Sequence, residues 1–449
     1  MDAGAVNELN DVQGLVARGY GNLPSARFLL LSIDDPGWLG SVAAAVTPAD
    51  QRPDGRAVHV ALTSAGLRRV GLDAETVGLF SNEFVDGMTA SHRSRNLGDV
   101  DENAPEHWDW GGPRTPQVDA MLLLYAADDA GLDALEQEHA GPQVLTRLGT
   151  SNLDEHEPFG FRDGISQPLI EGLAKKGPPE ITLRFGEFVL GYPNEYGRFT
   201  DQPLLDACPD LGRNGSYLVF RQLRQDVRGF WRFLDEATRK PDGSSDPARR
   251  LRLAAKMVGR WPGGAPLALA PDDHDPALAD ANDFAYFELD RHGTRCPVGA
   301  HIRRANPRDS LDPKPGSVKS WEINRRHRIL RRGREYGSGV TPDEALRRAA
   351  ASVDDDEHGL HFICLNGNIA RQFEFVNNTW LNSPKFAGLY DDADPVVAPS
   401  QPYGGTFTVQ SDTVRERVTG VPRFVSVKGG AYFFLPGIAA MRYLAERGG

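Results

Sequence analysis

The sequence predicts an α+β protein built on largely antiparallel sheets. Three observations lead there. Short apolar runs of strand length recur along the whole chain, helical spacing of apolar residues separates only some of them, and the regular strand–helix–strand rhythm of a parallel sheet is missing. At 449 residues the chain has room for two ordinary domains or one large duplicated one.

The first strand is expected at Phe28–Ile33, an unbroken apolar run apart from Ser32, the second at Val58–Leu62, and a third at Ala120–Ala126. Thr63–Val70 reads as a short helix, and Gly131–His139 has apolar residues at helical spacing. From Phe188 onwards the inventory recurs. FVLG at 188–191, SYLVFRQL at 216–223, AYFEL at 285–289, GLHFICL at 359–365 and AYFFLPG at 431–437 all read as strands, without a residue-level repeat between the halves. Three stretches rich in charge or turn residues, 226–283, 310–327 and 384–420, read as surface insertions.

Composition narrows the function classes. Hydrophobic residues make up 40% and charged residues 25%, the balance of a globular chain rather than a disordered one. A formal charge of −12 argues against a general nucleic-acid binder. No stretch approaches the roughly 18 uninterrupted apolar residues of a membrane span. The opening MDAGAVNELNDVQG carries acidic residues where a signal peptide is basic and then apolar, which predicts no export. Cys208, Cys296 and Cys364 lack metal-type spacing, so neither a zinc site nor a disulfide framework is expected, and a reducing, cytoplasmic setting is.

Three segments carry candidate chemistry. In His156-Glu157-Pro158-Phe159-Gly160-Phe161-Arg162-Asp163-Gly164-Ile165-Ser166-Gln167-Pro168, glycines on both sides of Asp163 let the backbone turn sharply and approach a flat ligand. Taken alone, an Asp-Gly pair is commonly a surface Asx-turn. In Cys296-Pro297-Val298-Gly299-Ala300-His301-Ile302-Arg303-Arg304-Ala305-Asn306-Pro307-Arg308, small residues before His301 leave room for a bulky planar partner, and the arginines after it suit carboxylates. A lone histidine is more often structural than ligating. Among its rivals, His327 sits between arginines on what reads as a solvated basic face, and His361 points to the opposite side of its strand from Leu360 and Phe362. The third segment, Ile329-Leu330-Arg331-Arg332-Gly333-Arg334-Glu335-Tyr336-Gly337, is by itself a basic stretch ending in a turn.

In combination and order these segments resemble the dye-decolourising peroxidase family of haem peroxidases. GFRDG at 160–164 is similar to its GxxDG signature, GAHIRRANPR at 299–308 to its proximal-histidine segment and LRRG at 330–333 to its distal-arginine segment. The likeness extends from DVQGLVARGY at 11–20 through FSNEF at 80–84 to GGAYFFLPG at 429–437. It implies two ferredoxin-like halves in a dimeric α+β barrel-like arrangement, an N-terminal half over 1–175 and a C-terminal half over 176–449 that holds most of the haem. It also implies haem b as cofactor, with hydrogen peroxide and an organic reductant, such as a dye or phenol, as partners.

Carried over residue by residue, the resemblance makes His301 the iron ligand, Asp163 the distal carboxylate and Arg331 the distal cation. Gly164, Ile165 and Ser166 then border the cofactor, Arg308 meets a haem propionate, and Leu360 and Phe362 line the distal pocket. Two departures stand out. The gap from His301 to Arg331 is long, which keeps Arg332 as a rival, and Val421-Pro422-Arg423-Phe424-Val425 offers no carboxylate to orient the proximal imidazole. With a reference pKa of about 3.9, Asp163 is ionised at working pH and can move a proton between the two peroxide oxygens while Arg331 stabilises the departing charge. A narrow pocket behind Leu360 and Phe362 excludes bulky dyes. Tyr336, bracketed by Gly333 and Gly337, is then either an outside oxidation site on a surface turn or a tyrosine that packs the turn. Removal of iron from haem (a deferrochelatase-like activity) and a non-enzymatic haem carrier are the alternatives. The pairing of Asp163 with Arg331 favours peroxide chemistry over a carrier, and the oligomeric state stays open.

Overall fold

The structure is a computed structural model that describes residues 8–141, 143–173, 181–203, 210–347, 357–398 and 404–448. Cys208 and the expected boundary at 175 and 176 lie outside those residues. Among the described residues thirteen strands form: β1 Ser25–Ser32, β2 Arg56–Leu62, β3 Ala120–Ala126, β4 Gln143–Gly149, β5 Leu169–Ile170, β6 Thr182–Leu183, β7 Ser216–Gln225, β8 Leu330–Arg331, β9 Arg334–Tyr336, β10 Gly359–Asn366, β11 Gly405–Val409, β12 Glu416–Val421 and β13 Val425–Leu435.

Nine of these make one antiparallel sheet in the order β4-β1-β3-β2-β13-β7-β10-β8, with β9 also on β10. The order contains the same pattern twice. Numbered by chain position, β4-β1-β3-β2 is fourth-first-third-second. So is β13-β7-β10-β8 once β8 and β9 count as one interrupted strand along β10. The two runs meet at a single pair, Phe434 with Leu62. β3 (AMLLLYA) is buried along its whole length because both faces of the sheet are covered there, which a strand without a charged residue tolerates. Among the described residues, no helix is long and apolar enough to cross a membrane.

The expected elements at 28–33, 58–62, 120–126, 216–223, 359–365 and 431–437 form as strands within a few residues of their expected ends. The helices Ser64–Arg69 and Asp129–His139 also form, capped by Thr63 and Asp128, whose side chains accept from the Gly66 and Gly131 N–H groups. Two expected strands do not. FVLG at 188–191 is an irregular buried turn after the 3₁₀ turn Phe185–Glu187, ending in Gly191 at φ +88°. AYFEL becomes the helix Tyr286–Asp290, because the distant Asp309 carboxylate accepts from the Tyr286 and Phe287 N–H groups at 2.8 and 3.0 Å and caps it.

The three expected insertions are not merely surface. Stretch 226–283 folds into the amphipathic helices Val227–Ala237 and Pro247–Val258, which bury Phe230, Trp231, Leu253 and Met257. Stretch 310–327 contains the helix Val318–Arg325, whose buried Ser320 and Asn324 hydrogen-bond Leu311 N–H and Asn306. The described part of 384–420 contributes the hairpin strand β11 and the buried Asp392 and Asp394.

Candidate functional site

A cavity of about 300 Å³ opens against one face of β7, β10 and β13. Strand periodicity decides which side chains reach it: Arg221, Leu223 and Gln225 from β7, Leu360 and Phe362 from β10, Val425 and Val427 from β13. His361, between the two β10 residues, points to the other side and stacks on Tyr336 with ring centroids 4.6 Å apart.

Asp163 comes from the loop joining the two strand runs. Gly160 and Gly164 stand at φ +93° and +79°, a conformation that strains any other residue, so the glycines around Asp163 are there for the backbone rather than for space. The Asp163 Oδ1 accepts from Arg331 Nη1 at 2.6 Å. Burial alone would raise the carboxyl pKa. The Arg331 charge and hydrogen bond, the Gly164 N–H and the His301 charge more than offset this and hold it below the ordinary carboxylate value. Arg331 is held in β8 opposite Cys364, and its N–H donates to Gln167 Oε1. Arg332 turns away and donates to the Leu15 and Val16 carbonyls, so it is Arg331 that faces Asp163.

His301 opens the short helix His301–Ala305 and also lines the cavity. Its Nδ1 lies 2.9 Å from Asp394 Oδ2. The other Asp394 oxygen accepts from the Val396 and Val397 N–H groups, each at 2.9 Å, and the side chain is wholly buried. An acceptor this fixed assigns the proton to Nδ1 and leaves the Nε2 lone pair for the cavity. Burial would lower the His301 pKa, but the Asp394 charge and hydrogen bond raise it above the ordinary value. Asp394 is the imidazole partner that sequence reasoning missed. It belongs to Asp391-Asp392-Ala393-Asp394-Pro395, where Asp392 is buried too but accepts from Thr406 and Thr408, and nothing in the run distinguishes the carboxylate that reaches His301.

The remaining candidates divide. Ile165 and Ser166 line the cavity, while Gly164 contributes only its N–H. Arg308 does not line it. Its guanidinium donates to the Asn282 and Phe284 carbonyls and to Asn282 Oδ1 and lies 3.8 Å above the Phe284 ring. The wall arginines besides Arg331 are Arg162 and Arg221, ion-paired with Glu155 and Asp280 and with Asp99, and Arg328 and Arg260. Arg328 donates to the Ser166 carbonyl, and among the described residues it has no ion pair. Among the described residues Arg260 Nη2 is buried without a partner. Burial and the neighbouring guanidinium charges push their pKa values down to about 9 and about 10.

Two readings of residues as surface groups do not hold. Tyr336 is only 8% exposed, its hydroxyl donating to the Leu223 carbonyl, because β9 pairs with β10 and folds the ring inward onto His361. His327 is no solvated residue either. It stacks on Phe375 at 4.0 Å and meets the Arg371 carbonyl.

No family model matches the chain. The dye-decolorizing peroxidase of Exidia glandulosa is 31% identical over 467 residues, covering 97% of this chain and 87% of that one. That of Mycena epipterygia is 35% identical over 431 residues, covering 87% and 76%. A crystal structure of the decolorizing peroxidase from Auricularia auricula-judae superposes with a TM-score of 0.79 at 26% identity, over 98% of this chain and all of the other. An ancestral D-type dye-decolorizing peroxidase gives 0.80 at 28% identity, over 98% and 99%. A deferrochelatase of Yersinia pestis is a more distant relative, 26% identical over 64% of this chain and 43% of its own length. This chain therefore belongs to the dye-decolorizing peroxidase family and is a haem peroxidase, an oxidoreductase.

Proposed function

We propose that the cavity holds haem b with His301 as the iron ligand, and that Asp163 and Arg331 handle hydrogen peroxide beside it. The observation that carries this is the presence, on one cavity wall system, of an imidazole anchored through Nδ1 and an ion-paired carboxylate–guanidinium couple. The residues fit such a group. Leu223, Leu360, Phe362 and Val427 offer apolar walls to a flat macrocycle. Among the described residues no three His, Cys, Asp or Glu side chains gather as a metal site, so a single imidazole suits a metal that brings its remaining ligands with it. Arg328 and Arg260 put positive charge at the wall, and among the described residues neither has an ion pair, a charge that an acidic edge of the ligand would neutralise. In this reading Arg308 acts behind Asn282, whose side-chain oxygen also accepts from the Ser166 hydroxyl.

When bound, haem supplies an iron that takes two oxidising equivalents from hydrogen peroxide and passes them to an organic reductant such as a dye or phenol. The protein's part is proton handling and charge. Ionised Asp163 accepts a proton from one peroxide oxygen and returns it to the leaving oxygen. Arg331 offsets the negative charge that develops there and keeps Asp163 ionised between turnovers. Asp394 fixes the ring orientation and basicity of His301. The test is titration of the purified protein with haem b, followed by peroxide. A saturable, intense Soret band that responds to peroxide, together with dye oxidation, supports the reading. Release of free iron without dye oxidation would favour the deferrochelatase-like alternative.

A further inference from the structure

Glu157 lines the same cavity as Asp163, and proton transfer by Asp163 gives it no task. Its two oxygens receive three donors. Oε1 accepts from the Phe161 N–H at 2.9 Å, and Oε2 accepts from the Phe159 N–H at 3.0 Å and from Gln225 Nε2 at 2.7 Å. The Glu157 N–H donates in turn to the Phe161 carbonyl at 2.9 Å, so one residue closes the loop through both its backbone and its side chain. Gln225 is the last residue of β7, and the third bond therefore ties this loop to the sheet that forms the cavity face.

The loop needs such a tie. Asp154 and Glu155 sit at φ +51° and +65°, and Gly160 and Gly164 at φ +93° and +79°, within one short segment. Non-glycine residues hold that conformation only where their surroundings over-determine it. Phe159 also packs against Phe230, with ring centroids 4.6 Å apart. On the cavity side it is the Glu157 carboxylate that holds the Phe159 and Phe161 amides. Asp163 follows two residues after the second of those amides, and among the described residues its carboxylate has one side-chain partner, Arg331.

We propose that Glu157 is the positioning residue for Asp163: clamped between two loop amides and Gln225, its carboxylate fixes where the Asp163 oxygens stand in the cavity. The proposal rests on Asp163 being the group that moves the peroxide proton. Burial pushes the Glu157 carboxyl up to about 7 against the pull of its three donors, consistent with a group retained for its geometry at a cost in solvation.

The test is a double-mutant cycle on the single-turnover peroxide rate of the haem-loaded protein, with amide exchange as a second readout. Glu157→Ala should slow the reaction about ten- to hundredfold, the scale of a misplaced catalytic group, with haem content unchanged. Glu157→Gln, which keeps one acceptor oxygen, should slow it less. Gln225→Leu leaves the loop sequence intact and should give a smaller loss of the same kind, a guard against misfolding of the alanine variant. In an Asp163→Asn background Glu157→Ala should cost less than about twofold, because the group it positions is gone. The Phe159 and Phe161 amides should exchange faster in Glu157→Ala while those of β3 do not. An equal loss in both backgrounds, or unchanged exchange at those two amides, would overturn the proposal. Asp163→Asn without effect would remove the reading beneath it, whereas an active Asp163→Asn effect beside an inert Glu157→Ala would remove this proposal alone.

Discussion

The two strand runs of the sheet share one order, yet one of them carries the cavity. In the N-terminal run the first and third crossovers are short, residues 33–55 and 127–142, and its interior strand β3 is apolar and covered on both faces. In the C-terminal run the same two crossovers occupy 226–329 and 367–424. The first brings His301 and Arg328, the second Asp394, and the loop between the runs brings Glu157 and Asp163. β1 holds the first place in its run with Phe28 and Leu29, Leu30 and Leu31, whereas β7 in the same place of its run carries Arg221 and Gln225, polar residues on the cavity wall. The strand order therefore supplies a frame, and length added to particular crossovers turns that frame into a site. The N-terminal run is not a bystander: Asp99 and Asn103, from its long second crossover, reach the cavity wall.

If the site is built on those additions, substitutions there should change chemistry without unfolding the sheet. The largest effect is expected at the Asp163–Arg331 couple. Asp163→Asn and Arg331→Leu should each slow the single-turnover reaction with peroxide by about 10²–10⁴-fold while haem stays bound. The couple also sets a pH signature. The Asp163 pKa is depressed, so the ionised form should survive acidification below the ordinary carboxylate range and be lost only as the pH falls through its lowered value. Arg331→Leu removes the main cause of that depression, and the acid limb of its residual activity should move to higher pH.

Asp394→Asn comes next, at about 10–100-fold in iron-site affinity or activity, read as haem retention on dialysis and as an altered spectrum. The arginines sharpen the comparison further. Arg328→Leu should weaken haem binding about tenfold, the scale of one charge-assisted hydrogen bond, in an equilibrium titration. Arg308→Leu should show mainly as a lower melting temperature, since its hydrogen bonds go to the Asn282 and Phe284 carbonyls. The smallest effect is expected at Tyr336→Phe. Removing a buried hydroxyl that donates to the Leu223 carbonyl should cost about 1 kcal/mol of stability and leave bulky-dye turnover unchanged.

What the sequence made legible was local. AMLLLYA could hardly be anything but a buried strand, and GFRDG and GAHIRRANPR each compress a site residue and its backbone needs into a few positions. The misses are relations between distant segments. Asp394 meets His301 across 93 residues, and three nearby aspartates look alike until the chain folds. AYFEL has the composition of a strand and becomes a helix because Asp309 caps it, a fact recorded at neither end alone. Arg308 and Arg328 are both arginines near apolar residues, and only packing decides that Arg328 meets the cavity. Tyr336 has glycines on either side, which signal a turn but leave its exposure open, and strand pairing with β10 folds the ring under.

The account stands or falls on His301, and the most direct measurement is haem titration of His301→Ala with and without added imidazole. Loss or a marked shift of the Soret band, recovered in part when imidazole occupies the vacated position, is the predicted result. An unchanged haem spectrum and unchanged haem content in His301→Ala, indifferent to imidazole, would contradict it and send the search for the iron ligand to another histidine.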